Sequence, residues 1–257
     1  MRRTYYQHPT RYSFGPGFMT PGVKGLIFVN SGIFFVTAFA PLDVRIWLGQ
    51  FLGFTPSSLL TELKIWQPFT YLFLHGSVSH ILINMLILWM FGVQLEKIWG
   101  TRFFLRYFFV TGFGAAMITL LVSLLPFGFS ESTYSTITIG ASGAIYGLLM
   151  AFALYYPETP ILMFLLFPVP AKYFVMILAG IAFISAPRGD GIAHVTHLGG
   201  FLTGYLYLQR MQSFKTGRLR IFTDLKYRYM KWQMNRLRKK FNIYEGGRKK
   251  DWTDKIH

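Results

Sequence analysis

Apolar residues gather into six long stretches, roughly Gly25–Ala40, Phe69–Val93, Phe103–Leu125, Ser142–Tyr156, Ala171–Ala186 and Ile192–Leu208. No Asp, Glu, Lys or Arg occurs between Phe69 and Leu95, and a soluble core helix rarely runs that far without a polar face. About 20 apolar residues cross a bilayer core. A spanning segment must satisfy its own backbone, so helix is the default. The pattern predicts an all-α polytopic membrane protein with six transmembrane helices. The fourth stretch is short: 15 residues from Ser142 to Tyr156, about 22 Å as a helix. Pro126–Gly140 before it is too polar for lipid and too apolar for a solvated loop. It reads as irregular chain dipping into the protein, with the short fourth helix starting below the membrane surface.

Composition agrees with this reading: 53% of residues are hydrophobic and 14% charged, against about 25% charged in ordinary soluble domains. The chain has no cysteine, which excludes disulfides and thiolate chemistry. The formal charge of +16 is unevenly spread. Fifteen Lys and Arg lie between Arg210 and Lys255, whereas the loops of the opposite side hold only Arg45, Lys64 and Arg188. Cationic loops stay cytoplasmic, so both termini are expected there, with Pro41–Pro68 and Pro126–Ile139 outside. The division expected is a cytoplasmic segment 1–23, a six-helix core 24–209 and a basic tail 210–257. No apolar signal sequence precedes Gly25, and a bacterial cytoplasmic membrane is the expected location. In the tail, Met230, Met234, Leu237 and Phe241 alternate with basic residues. They suit either a helix on the anionic cytoplasmic leaflet or a solvated tail that enforces topology. Membrane lipid rather than nucleic acid is the expected partner. Trp47 and Trp66 suggest that Pro41–Pro68 lies partly in the interface.

Polar residues then interrupt the outer ends of three stretches: His75, His80 and Asn84 in the second, Ser142 in the fourth, His194 and His197 in the sixth. Singly each has an ordinary explanation. A serine at a helix start is usually a cap, and Asn84 can bond across helices. Together they place nucleophile-type and base-type groups at one depth, and ionisable groups inside a membrane mark function. Gly140-Ala141-Ser142-Gly143 flanks the hydroxyl with small residues at a helix N-terminus, where free N–H groups attract an anion. Gly143 with Gly147, and Gly200 with Gly204, form GxxxG pairs that draw helices together. His197 shares a face with Gly200 and Gly204; His194, one turn earlier, is the competing base. No carboxylate lies in the fourth or sixth stretch, so a Ser142–His197 dyad is more economical than a triad. Asn84, His80 and the Ser142 N–H are then available to an oxyanion. Neither metal nor cofactor is expected. A rival metal site on His75, His80, His194 and His197 lacks both an HExxH motif and a carboxylate.

These motifs make a resemblance visible. His75-Gly76-Ser77-Val78-Ser79-His80 with Asn84, Gly140-Ala141-Ser142-Gly143 with Tyr146, and His197 with Gly200 and Gly204 resemble the rhomboid intramembrane proteases, over nearly all of Gly25–Leu208. Glu96 and Gly100 stand where that family usually has Glu and Gly. The resemblance implies a rhomboid-like bundle, with Ser142 as nucleophile and His197 as base, the HxxGxxxG spacing selecting His197 over His194. It implies His80 and Asn84 as oxyanion donors, Tyr146 stacked near the histidine, and His75 as a structural bond of the first loop. It further implies transmembrane protein substrates, cut near their outer end. Trp66-Gln67 departs from the family's usual Trp-Arg and puts one loop contact in question. A second reading is a catalytically inactive rhomboid-like module that binds membrane proteins.

Overall fold

The computed structural model of the chain describes residues 16–126, 128, 130–163, 166–186, 193–211 and 231. It divides into two units, Met1–Leu208 and Gln209–His257. The amphipathic pattern of the tail falls outside the described residues. The first unit is helical. Its elements are α1 (Pro21–Phe39), α2 (Leu42–Leu52), α3 (Pro56–Thr61), α4 (Gln67–Thr70), a 3₁₀ turn (Tyr71–Phe73), α5 (Val78–Ile87), a π turn (Leu88–Gly92), α6 (Val93–Trp99), α7 (Thr101–Ser123), α8 (Ser130–Ser135), α9 (Ser142–Tyr155), the strands β1 (Pro160–Met163) and β2 (Phe167–Pro170), and α10 (Ala171–Ser185). A last helix, α11, covers 193–211. Among the described residues, three helices are long and apolar enough to cross a membrane: Pro21–Phe39, Val78–Trp99 and Thr101–Ser123. Ser142–Tyr155 and Ala171–Ser185 are apolar but shorter.

Hydropathy alone placed several boundaries wrongly. The first helix begins at Pro21, not Gly25. Pro21 needs no N–H partner at a helix start, and the next two donors, Gly22 N–H and Val23 N–H, reach the Glu96 carboxylate at 2.8 and 2.9 Å. The hydroxyl of Thr101 donates to the same carboxylate at 2.6 Å, and Thr20 also donates to it. A buried anion thus caps α1 from 74 residues away, where the helix dipole favours it. The second stretch is not one helix from Phe69 to Val93. Its long run starts at Val78, where the Ser77 hydroxyl accepts the His80 N–H at 3.2 Å, and continues to Trp99. Phe69–Phe73 belongs to short turns entered through Pro68.

Pro41–Pro68 is not plain loop but carries α2 and α3. Gln67, buried, accepts the Thr55 N–H at 3.2 Å and donates to the Gln50 carbonyl at 3.0 Å. A neutral amide at position 67 thus ties the chain after α2 to the end of that helix. Pro126–Gly140 is likewise not wholly irregular, since it holds α8 and a two-way bridge between Phe54 and Thr138, at 2.9 and 2.7 Å. The β1–β2 hairpin has no antecedent in the hydropathy pattern. It pairs Pro160 with Pro170 through Met163 with Phe167.

The core lies where α7 and α9 meet the run from α5 to α6. Phe54, Tyr71, Phe104, Tyr107, Phe108 and Phe152 are among its largest fully buried side chains. α7 supplies small residues to this junction: Gly112, Ala115, Ala116 and Thr119 fall at i, i+3, i+4 and i+7, one helical face.

Candidate active site

α9 begins at Ser142, with Ala141 as its N-cap. The first N–H groups of a helix have no partner within it, so Ser142 stands at a cluster of free donors. α11 lies against α9 at backbone contact. A Cβ on Gly200 would stand 2.0 Å from the Gly143 carbonyl oxygen, and one on Gly204 would stand 3.0 Å from Gly147 Cα. The two GxxxG pairs face each other across this seam. α7 closes it from a third side: a Cβ on Gly147 would meet Thr111 at 2.6 Å, and one on Gly199 would meet Ala115 backbone at 3.0 Å.

That approach brings His197 to Ser142. Its Nε2 is 2.9 Å from Ser142 Oγ, a hydrogen-bond distance in the range a nucleophile and its base require. The Tyr146 ring lies on the imidazole with centroids 4.0 Å apart and planes 4° from parallel. Phe201 meets the other aromatic in turn, at 4.8 Å from Tyr146. His197 Nδ1 is buried without a hydrogen-bond partner among the described residues. The imidazole is therefore oriented by stacking where a triad would use a carboxylate. His194 sits 6.0 Å from His197, ring to ring, with the planes near perpendicular; the ring at hydrogen-bond distance from Ser142 is that of His197.

His80 and Asn84 occupy successive turns of α5 and converge on the turn before Ser142. Gly140 has φ of +117°, a conformation that suits glycine. A Cβ there would fall 2.7 Å from His80 Nε2 and 3.8 Å from Asn84 Nδ2. Asn84 is buried, and its Nδ2 has no acceptor among the described residues. A buried donor without an acceptor is unusual. The π turn Leu88–Gly92 begins one helical turn after Asn84; such bulges recur beside functional sites. His75 is buried and packs edge-on against the His80 ring, centroids 5.0 Å apart. Among the described residues no three His, Asp or Glu gather as metal ligands.

Chain-level reading passed over several residues that shape the site. Tyr71 OH donates to the Gly112 carbonyl at 2.7 Å and lies where a Cβ on Gly143 would be, at 2.9 Å. Tyr107 OH donates to the Gly147 carbonyl at 2.8 Å. Thr119 and Thr196 share a hydrogen bond of 2.9 Å between α7 and α11. The small-residue face of α7 was the available signal, because such a face admits two neighbouring helices at once.

A model of the Rhomboid domain matches residues 62–212, more than half of the chain. The chain is 32% identical over 138 residues to Rhomboid protein 1, mitochondrial, of Saccharomyces cerevisiae, a match covering 52% of this chain and 38% of the yeast protein. It is 28% identical over 228 residues to RHOMBOID-like protein 1 of Arabidopsis thaliana, covering 74% and 54% of the two chains. With Rhomboid protease GluP of Bacillus subtilis it shares 28% over 153 residues, covering 60% and 27%. The chain spans about half or less of the length of these relatives. They include mitochondrial and plant proteins, so they lend no support to a bacterial cytoplasmic membrane as its location.

Proposed function

The chain belongs to the rhomboid family, and on that premise we propose that it is an intramembrane serine endopeptidase acting on transmembrane segments of other membrane proteins. The observation that supports this reading most directly is the 2.9 Å contact between His197 Nε2 and Ser142 Oγ, at a helix N-terminus.

In the proposed reaction His197 Nε2 takes the hydroxyl proton as Ser142 Oγ attacks the scissile carbonyl carbon. The carbonyl oxygen becomes an oxyanion, met by Asn84 Nδ2, by His80 and by the first N–H groups of α9. The imidazolium returns its proton to the departing amine as the C–N bond breaks, leaving an ester on Ser142. A water molecule, deprotonated by His197, then attacks that ester, and the imidazolium returns the proton to Ser142 Oγ as the C–O bond breaks. For Nε2 to act as base the ring proton must sit on Nδ1, and stacking on the Tyr146 face keeps the ring plane in which Nε2 meets Ser142. Gly143, Gly147, Gly200 and Gly204 keep the two helices close enough for the dyad. The substrate bond must leave its helix first, because helical carbonyls are already hydrogen-bonded.

The accompanying topology is six spans with both termini cytoplasmic and the Ser142 end of α9 toward the outside. Lys/Arg asymmetry supports it. The basic tail then faces the anionic cytoplasmic leaflet.

The test is cleavage of a model transmembrane substrate in proteoliposomes, with labelling by a serine-directed phosphonate. Ser142→Ala, His197→Ala and the double variant are expected to fall to one common background, since residues acting as a unit are not additive. Cleavage by Ser142→Ala well above that background would end the serine mechanism. Folded wild type that neither cleaves nor labels would favour an inactive binding module instead.

A further inference from the structure

Away from Ser142, the end of α1, helix α2 and the turn Leu74–Val78 enclose a groove of about 460 Å³. That is within the usual range of small-molecule sites, roughly 300–1,000 Å³. Phe34, Ile46, Leu74 and Ile139 give it an apolar lining. Of the described residues lining it, Arg45 alone carries a formal charge. Arg45 is exposed and takes no part in either ion pair found among the described residues. Asp43 is two positions away on the same helix, a spacing at which side chains do not face each other.

The surroundings indicate a ligand that is itself part lipid. The groove sits at the end of α1, a helix apolar and long enough to span. Beside it Phe39, Leu42 and Trp47 are 77%, 69% and 56% exposed. Trp47 stacks on Phe51 at 5.0 Å, and Phe51 meets Trp66 at 5.1 Å. Tryptophan in such positions marks the headgroup level of a bilayer. A lone guanidinium at that level, beside an apolar slot, matches a phosphate joined to an acyl chain: the planar fork accepts two phosphate oxygens, and the slot removes methylenes from water.

We propose that this groove binds one anionic glycerophospholipid, its phosphate on Arg45 and an acyl chain against Phe34 and Leu74. The site stands independently of any proteolytic activity. It also adjoins the oxyanion side of the candidate active site. His75 and Ser77 line the groove; the one packs on the His80 ring and the other caps α5 by accepting the His80 N–H. A seated lipid thus bears on the turn that positions His80.

Native mass spectrometry of the purified full chain tests this, after incubation with equal phosphatidylglycerol and phosphatidylcholine of identical acyl chains. Wild type should retain one phosphatidylglycerol with a preference of about tenfold, because both lipids offer a phosphate but the choline cation of phosphatidylcholine opposes the guanidinium beside it. Arg45→Gln should bring the preference near unity. Gly49→Leu should remove the retained lipid of either kind. A Cβ at Gly49 meets nothing within 4 Å, and Gly49 lines the groove, so a leucine there starts into open space and occupies the groove; an unchanged melting curve certifies the fold. Lys64→Gln serves as control, because Lys64 is already paired with Glu62 at 2.9 Å. Lipid held by the basic tail is common to all variants and cancels in the differences. No preference in wild type, an unchanged preference in Arg45→Gln, full retention in Gly49→Leu, or an equal loss in Lys64→Gln would each overturn the site.

Discussion

In the seam between α9 and α11 a Cβ on Gly200 would stand 2.0 Å from the Gly143 carbonyl oxygen, whereas on α2 a Cβ on Gly49 would meet nothing within 4 Å. Both residues are helical glycines in apolar surroundings. One lets two backbones touch, and the other borders a groove of about 460 Å³. The difference shows how this molecule divides its work. Where chemistry is proposed, position is set by backbone against backbone, which cannot be adjusted by a rotamer. The 2.9 Å contact of His197 with Ser142 depends on that rigidity. At the α1–α2 edge the packing leaves room, and aromatic side chains are exposed.

The contrast can be sharpened first by separating chemistry from packing. Asn84→Ala removes a buried donor that has no acceptor among the described residues. Cleavage is expected to fall by roughly 10²–10³, the value of one oxyanion donor. The melting temperature should change far less than the rate, because Nδ2 has no hydrogen bond to lose. Parallel measurement of kcat and thermal unfolding checks this; a large loss of stability with kcat intact would return Asn84 to a structural role.

A smaller effect, but on both properties, is expected from Gly200→Ala. The added methyl meets a backbone oxygen, so the helices must part. Overpacking of this kind costs on the order of 3 kcal/mol, and a displacement of about 1 Å at the dyad costs about 10² in rate. Unfolding and cleavage assays in one detergent would reveal it. Equal activity and stability in this variant would break the argument that the seam sets the dyad. The smallest effect is expected at the other end of the comparison: Gly49→Ala should stabilise by roughly 0.5–1 kcal/mol, the ordinary helix preference of alanine, with cleavage unchanged. A loss of stability there would show that the groove is tighter than its geometry indicates.

Much of the site was visible as spacing. His197, Gly200 and Gly204 share a face in any helix, and Gly143 with Gly147 offers a matching one. The resemblance carried by those motifs led to the rhomboid family, to which the chain belongs. Less visible were Tyr71 and Tyr107, whose hydroxyls reach the Gly112 and Gly147 carbonyls across 41 and 40 residues. Nothing near either tyrosine in the chain marks its partner. Helix ends were also misjudged where the cap comes from elsewhere, as with Glu96 at the start of α1.

The sequence by itself determined the membrane character, the helical apolar stretches, and which small and polar residues share a face. These follow from composition and from the 3.6-residue period, both local properties. Tertiary structure alone decided where α1 begins, that Pro41–Pro68 folds into α2 and α3, how Gln67 ties that region together, and that a groove opens beside Arg45. Each depends on partners distant in the chain. A carboxylate, carbonyl or cavity wall supplied from elsewhere leaves no period in the sequence around the residue that uses it.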